Sequence, residues 1–262
     1  MKKLVPQMAG MSLLGTRQEQ QDSFGIIQEK DRGIAVVCDG MGGLSFGQQA
    51  SQGAVSILLE RYHNKPKECP FPDFFQESLE YMDEYVYKLG RSGTQGRSGT
   101  TVVAVAIEEG KLYWLSVGDS RLYLLRQGAL LCATQDHNYR LLLDQRREQG
   151  TISPQEYERE MERGNALVSY IGMKGISLMD GNPSPFLLQA QDTLLLMSDG
   201  VYRVLSQDAI RTIVESSGSA SELARHLCER VEQESRPNQD NATVIAIRIE
   251  EEQGNEADKM QQ

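Results

Sequence analysis

Apolar residues along this 262-residue chain arrive in short, β-branched runs closed by turn formers, separated by longer stretches that repeat every three to four positions. The runs Gly33–Cys38, Thr100–Ile107, Leu112–Val117, Leu122–Leu125, Thr193–Met197 and Thr243–Ile249 have the length and the Val/Ile enrichment of β-strands. Glu108-Glu109-Gly110-Lys111 reads as a hairpin turn and Gly118-Asp119-Ser120 bends into the next strand, so an antiparallel sheet is expected.

Helical periodicity fills the gaps. Phe46, Ala50, Ala54, Ile57, Leu58 and Arg61 share one face of a stretch from Ser45 to Tyr62. Phe75, Leu79, Met82, Val86 and Leu89 do the same from Asp73 to Leu89, with Pro72-Asp73 as the helix start. Ser206–Val214 and Ser219–Gln233 are further amphipathic segments, and the Met and aromatic positions on these stripes read as core. From Asn138 to Asn165 the chain is rich in Arg, Glu and Gln, with Gly150 and Pro154 breaking two short helical pieces. It is expected to be a mobile, loosely packed surface insertion. The end is polar and aperiodic. The pattern therefore predicts one domain over residues 1–250, with 138–165 inserted and 251–262 a frayed tail, strands joined by hairpins and helices packed outside.

Composition narrows the function. A hydrophobic fraction of 39% suffices for a core, while a net charge of −10 and a pI near 4.9 tilt against nucleic-acid and anionic-membrane surfaces. Cys38, Cys69, Cys132 and Cys228 form no Cys-x-x-Cys pair, and Cys38 and Cys132 sit in apolar surroundings that read as core, the pattern of reduced thiols in a cytoplasmic protein. Three histidines are too few for a histidine-rich zinc site. Pro6 and Gln7 interrupt the apolar start, which argues against a signal peptide, and no run approaches the ~18 apolar residues of a membrane span.

Five aspartates carry the candidate chemistry: Asp22 in Gln-Asp-Ser, Asp39 in Cys-Asp-Gly-Met-Gly-Gly, Asp119 in Gly-Asp-Ser-Arg, Asp199 in Ser-Asp-Gly, and Asp240 in Gln-Asp-Asn. Most follow an apolar run, and carboxylates at strand ends are how a fold gathers oxygen ligands for Mg²⁺ or Mn²⁺. A single Asp-Gly is more often a turn; five in one local setting argue for a shared cleft. After Asp39, three glycines allow a tight turn or close approach to a ligand, and the Gly40 carbonyl is itself a candidate ligand. Arg17, shortly before Asp22, is either an ion-pair partner or a clamp for two phosphate oxygens.

Taken in order, Arg17 with Gln21-Asp22, Asp39-Gly40-Met41-Gly42-Gly43, Ser98-Gly99-Thr100-Thr101, Gly118-Asp119-Ser120-Arg121, Thr134-Gln135-Asp136-His137, Asn165-Ala166-Leu167, Ser198-Asp199-Gly200 and Asp240-Asn241 with Thr243 resemble the metal-dependent protein phosphatases of type 2C in their compact bacterial form. The resemblance spans residues 17 to 243. It implies an α+β fold, a four-layer αββα sandwich of two antiparallel β-sheets flanked by antiparallel helices. It also implies two Mn²⁺ or Mg²⁺ ions, with Asp39 bridging them, the Gly40 carbonyl on one, Asp199 and Asp240 on the other, and Asp22 in the outer shell. In some members a weaker third ion sits where Asp119 and Asp199 stand here, and Arg17 would grip the substrate phosphate. The implied substrates are phosphoserine and phosphothreonine proteins, with a Ser/Thr kinase and its targets as partners, and the expected state is a monomer.

The match has departures. Several members carry histidine where Met41 stands, and a thioether donates no proton; His137 is the nearest alternative acid by motif, although a histidine there also suits a structural hydrogen bond. Gln21 stands where many members have glutamate, and Val168-Ser169-Tyr170 replaces the more usual Thr-Arg-Ala. Two other readings stay open: a non-catalytic phosphoprotein-binding module that kept the fold, and a phosphatase dedicated to a partner-switching regulator.

Overall fold

The computed structural model describes residues 3–42, 46–92, 98–234 and 237–252. Gly43, Ser45 and the expected tail from 253 onward lie outside the described residues.

Two sheets carry the molecule. The first orders β1 (Leu4–Leu13), β12 (Ala242–Glu251), β11 (Thr193–Met197), β7 (Arg121–Arg126) and β8 (Ala129–Cys132). The second orders β10 (Phe186–Leu187), β6 (Lys111–Val117), β5 (Val102–Glu108), β3 (Arg32–Met41) and β2 (Asp22–Gln28), with β4 (Gly99–Thr100) on β3 and β9 (Asp180–Gly181) on β6. The pairings within both sheets are antiparallel.

The long apolar runs follow from burial on both faces. In β3, Ile34, Val36 and Cys38 pack under α1 (Phe46–His63) and α2 (Phe71–Ser92), whereas Ala35 and Val37 face the other sheet. In β12, Val244 and Ala246 lie toward α6 (Gln207–Ser216) and α7 (Ala220–Gln233), while Ile245, Ile247 and Ile249 fill the space between the sheets. Helix, sheet, sheet, helix is therefore the layering, as expected. Among the described residues no helix is long and apolar enough to cross a membrane.

Helix boundaries follow capping chemistry. The Ser206 and Ser219 side chains accept N–H bonds from Ala209 and Glu222 at the starts of α6 and α7. The 138–165 stretch forms α3 (Tyr139–Glu148) and α4 (Pro154–Met161), broken at Gly150 and Pro154. Leu143 and Ile152 are buried, and backbone bonds from Tyr139 to Ala166 and from Arg140 to Gly164 anchor the start of α3.

Some expectations need correction. β1 and β2 were not expected as strands: each is a half-covered sheet edge, where Pro6 is tolerated and periodicity is weak. The run from Thr100 divides into β4 and β5 because Thr101 turns its N–H onto the Asp39 carbonyl at 2.8 Å. Cys132 is exposed on edge strand β8 rather than in the core, and β12 extends to Glu251, one residue into the expected tail.

Candidate active site

Alternation along β3 puts Asp39 on the same face as Ala35 and Val37, toward the opposite sheet. Asp22 is its register partner on β2, so two carboxylates meet at one open end of the inter-sheet layer. The other three reach the same end by different routes. Asp119 lies in the β6–β7 turn, Asp199 opens the short helix α5 (Asp199–Tyr202) after β11, and Asp240 precedes β12.

A cleft of about 580 Å³ opens there, lined by Asp39, Asp119, Asp199 and Asp240 with Arg17, Gly40, Met41 and Arg203. Asp22 is not among its lining residues and lies behind, where Ser198 Oγ donates to its Oδ2 at 2.7 Å. Ser198 also accepts from the Thr243 N–H at 2.9 Å, so a bond between the two sheets fixes the buried carboxylate.

The backbone of Asp39 is clamped. Its N–H donates to Thr101 Oγ1 at 2.9 Å, and its carbonyl accepts from the Thr101 N–H and the Thr100 hydroxyl. The Ser-Gly-Thr-Thr motif thus acts through the aspartate's main chain. Gly40 is fixed as glycine because a Cβ would strike the Gly47 carbonyl, and at Gly200 a Cβ would strike that of Asn241. Asn241 Oδ1 accepts from the Gln21 N–H, and its Nδ2 donates to the Leu14 and Glu19 carbonyls, holding the loop that carries Arg17.

Crowding shapes the electrostatics. Burial, then Asp22, Asp199, Asp119 and Asp240, pushes the Asp39 carboxyl well above the usual carboxylate range. Asp22 is pushed up to about 7, chiefly by burial and against hydrogen bonds from Ser198 and Thr243. Burial and Asp199 raise Asp119 to about 6 despite Arg203. Burial and Asp240 raise Asp199, which Arg203 and a hydrogen bond with Asp39 pull the other way.

Among the described residues no three His, Cys, Asp or Glu side chains converge as metal ligands. Instead the carboxylates turn toward arginines: Arg17 Nη2 lies 2.7 Å from Asp240, and Arg203 lies 2.9 Å from Asp119 and 3.2 Å from Asp199. The donor set is nonetheless all oxygen and mutually repelling, which suits a hard divalent cation.

His137 does not line the cleft. Its Nδ1 accepts from the Gly118 N–H at 3.2 Å, and burial lowers its pKa, so it is a structural hydrogen-bonder. Sequence reasoning missed Arg203 and the roles of Asn241 and Ser198. For Arg203 the signal was present, as an arginine four residues after a helix-opening aspartate. A second hollow beside the cleft, lined by Met41, Ser98, Gly99, Leu167 and Tyr170, was also not foreseen.

The family model for protein phosphatase 2C matches residues 9–244. The chain belongs to the protein phosphatase 2C family. Among curated relatives this phosphatase is similar to the serine/threonine phosphatase stp of Listeria monocytogenes serotype 4b (strain F2365), 29% identical over 236 residues covering 88% of this chain and 90% of the relative. Its fold matches the S. agalactiae serine/threonine phosphatase with a TM-score of 0.80 at 26% identity, covering 94% of this chain and 100% of that one. The catalytic domain of the phosphatase PstP, in complex with 2 manganese ions, shares the fold at 24% identity and a TM-score of 0.75, over 95% and 100% of the two chains.

Proposed function

We propose that this phosphatase hydrolyses phosphoserine and phosphothreonine in proteins, using two Mn²⁺ or Mg²⁺ ions held in the acidic cleft. One observation carries the reading: Asp39 is rigidly placed at the sheet ends, and four further carboxylates raise its pKa or share its cleft. That is an arrangement a divalent cation relieves. Asp39 and the Gly40 carbonyl, with Asp199 and Asp240, would hold the ions, and Asp22 would orient solvent or Asp39 from behind. When bound, such a pair supplies the Lewis acidity that ionises water near neutral pH and neutralises phosphoryl charge.

The chain's own residues supply the rest. Arg17, about half exposed on the rim, exchanges its contact with Asp240 for phosphate oxygens, which its planar fork matches. Met41 holds no proton and His137 is turned away, so the leaving oxygen takes its proton from solvent in the open cleft. The hollow at Met41 and Tyr170 adjoins the cleft through Met41, Gly42, Asn165 and Leu167, and there the polypeptide flanking the phosphorylated residue would lie. A serine/threonine kinase and its targets are the partners this activity would oppose.

The test is hydrolysis of p-nitrophenyl phosphate and of phosphothreonine peptides. Mn²⁺ should stimulate both, and chelator or Asp39→Asn should abolish both. Wild-type protein inert toward both in excess Mn²⁺ would refute the reading.

A further inference from the structure

In some members of the family a weaker third cation sits where Asp119 and Asp199 stand here, and in this chain those two carboxylates share an arginine. Arg203 Nη2 lies 2.9 Å from Asp119 Oδ2 and Nη1 lies 3.2 Å from Asp199 Oδ2, so one guanidinium spans both groups. We propose that Arg203 is a built-in cation that takes the place of a third divalent ion, making this a phosphatase of two ions rather than three. The inference rests on the metal-dependent reading above.

The placement of Arg203 is built into the chain. It caps α5, where its N–H donates to the Asp199 carbonyl at 3.0 Å, so the side chain and its Asp199 partner share one helical turn. The preceding residue secures the second partner: the Tyr202 hydroxyl donates to the Asp119 carbonyl at 2.8 Å. The Tyr202 ring lies under the Arg121 guanidinium, 3.8 Å from its centroid, and Arg121 is itself held by two 2.8 Å bonds to Asp136. Two consecutive residues thus tie the β6–β7 turn to α5.

Arg17 differs in kind. It comes from a loop, meets a single carboxylate and is more than half exposed, which leaves it free to exchange. The Asp119 side chain is 6% exposed and that of Asp199 16%, so an ion seeking both would have to displace an arginine that cannot deprotonate. A guanidinium neutralises charge at this edge of the cleft but ligates no water. Its contribution is electrostatic, holding two repelling carboxylates in place beside the phosphate path.

Calorimetric Mn²⁺ titration, cross-checked by the bound fraction in electron paramagnetic resonance, tests this on the whole chain. Wild type and Arg203→Lys should saturate at two ions, and Arg203→Ala should gain a third, weaker site. Asp119→Asn should still bind two, because Asp119 holds Arg203 and not an ion; this variant serves if Arg203→Ala does not fold. Three ions on the wild type, a stoichiometry unchanged in folded Arg203→Ala, or loss of an ion in Asp119→Asn would overturn the inference while leaving the two-ion reading standing. No ion bound by the wild type at all would overturn both.

Discussion

Arg17 and Asp240 face each other across the rim of the cleft, both about half open to solvent. Such an exposed pair contributes only about 0.2–1 kcal/mol to stability. Removing Arg17 should therefore spare the fold and act on substrate. Loss of a charge-assisted phosphate contact, worth roughly 1.5–3 kcal/mol, corresponds to a fall in kcat/KM of about ten- to a hundredfold for Arg17→Ala, with a raised KM. Unchanged steady-state kinetics would reduce Arg17 to a structural partner of Asp240. Gly200 gives the opposite prediction. A Cβ there strikes the Asn241 main chain, which cannot swing aside as a flexible side chain could. Gly200→Ala should cost about 1–3 kcal/mol and lower the melting temperature by several degrees, checked by calorimetry.

At the level of elements, Thr101 shows how a break in a strand serves the site. Its hydroxyl accepts from the Asp39 N–H and pairs with Ser120 Oγ at 2.7 Å. Thr101→Val keeps the shape but strands those buried groups, at a cost of about 1–3 kcal/mol. The expected outcome is a larger fractional loss of kcat than the shift in unfolding midpoint explains; an active enzyme with only a lower midpoint would confine Thr101 to stability. The central strands were legible because burial on both faces leaves an unbroken apolar run, as in residues 102–107 and 194–197. β1 and β2 were not, because an edge strand with one covered face admits Pro6, Gln7 and Gly25 without penalty. The five aspartates could be read as a set from their turn contexts. What sequence could not show was which cation each would meet, since the contact of Arg203 with Asp119 joins residues 84 positions apart. Tyr170, packed with Met41 over Gly99, was legible only as a departure from the family pattern. Tyr170→Ala should lower the ratio of phosphopeptide to p-nitrophenyl phosphate turnover; an unchanged ratio would remove that hollow from the peptide path.

For the whole molecule, the raised carboxyls link stability to pH. Asp22 is pushed to about 7 and Asp119 to about 6, above the ordinary 3.8, so between these values the folded chain binds more protons than the unfolded one. Stability in chelator should then fall as pH rises through that window. The ions proposed for the cleft would favour the deprotonated form of the carboxyls around it by their positive charge, so their stabilising effect should grow over the same range. At an ion concentration about a hundredfold above its dissociation constant the gain is about 2.7 kcal/mol, or roughly 5–10 °C. Melting curves at about pH 5.5 and about pH 7.5, with and without Mn²⁺, check both signs. The acidic groups also come from both layers: Asp22 and Asp39 from one sheet, Asp199 and Asp240 from the ends of strands in the other. Cation occupancy would accordingly rivet two slabs joined by apolar side chains and by polar bonds such as Ser198 to Asp22 and Met8 to Gln28. Slippage between the slabs should be damped, and amide hydrogens deep in β3 and β12, well away from the chemistry, should exchange more slowly once the rivet is in place.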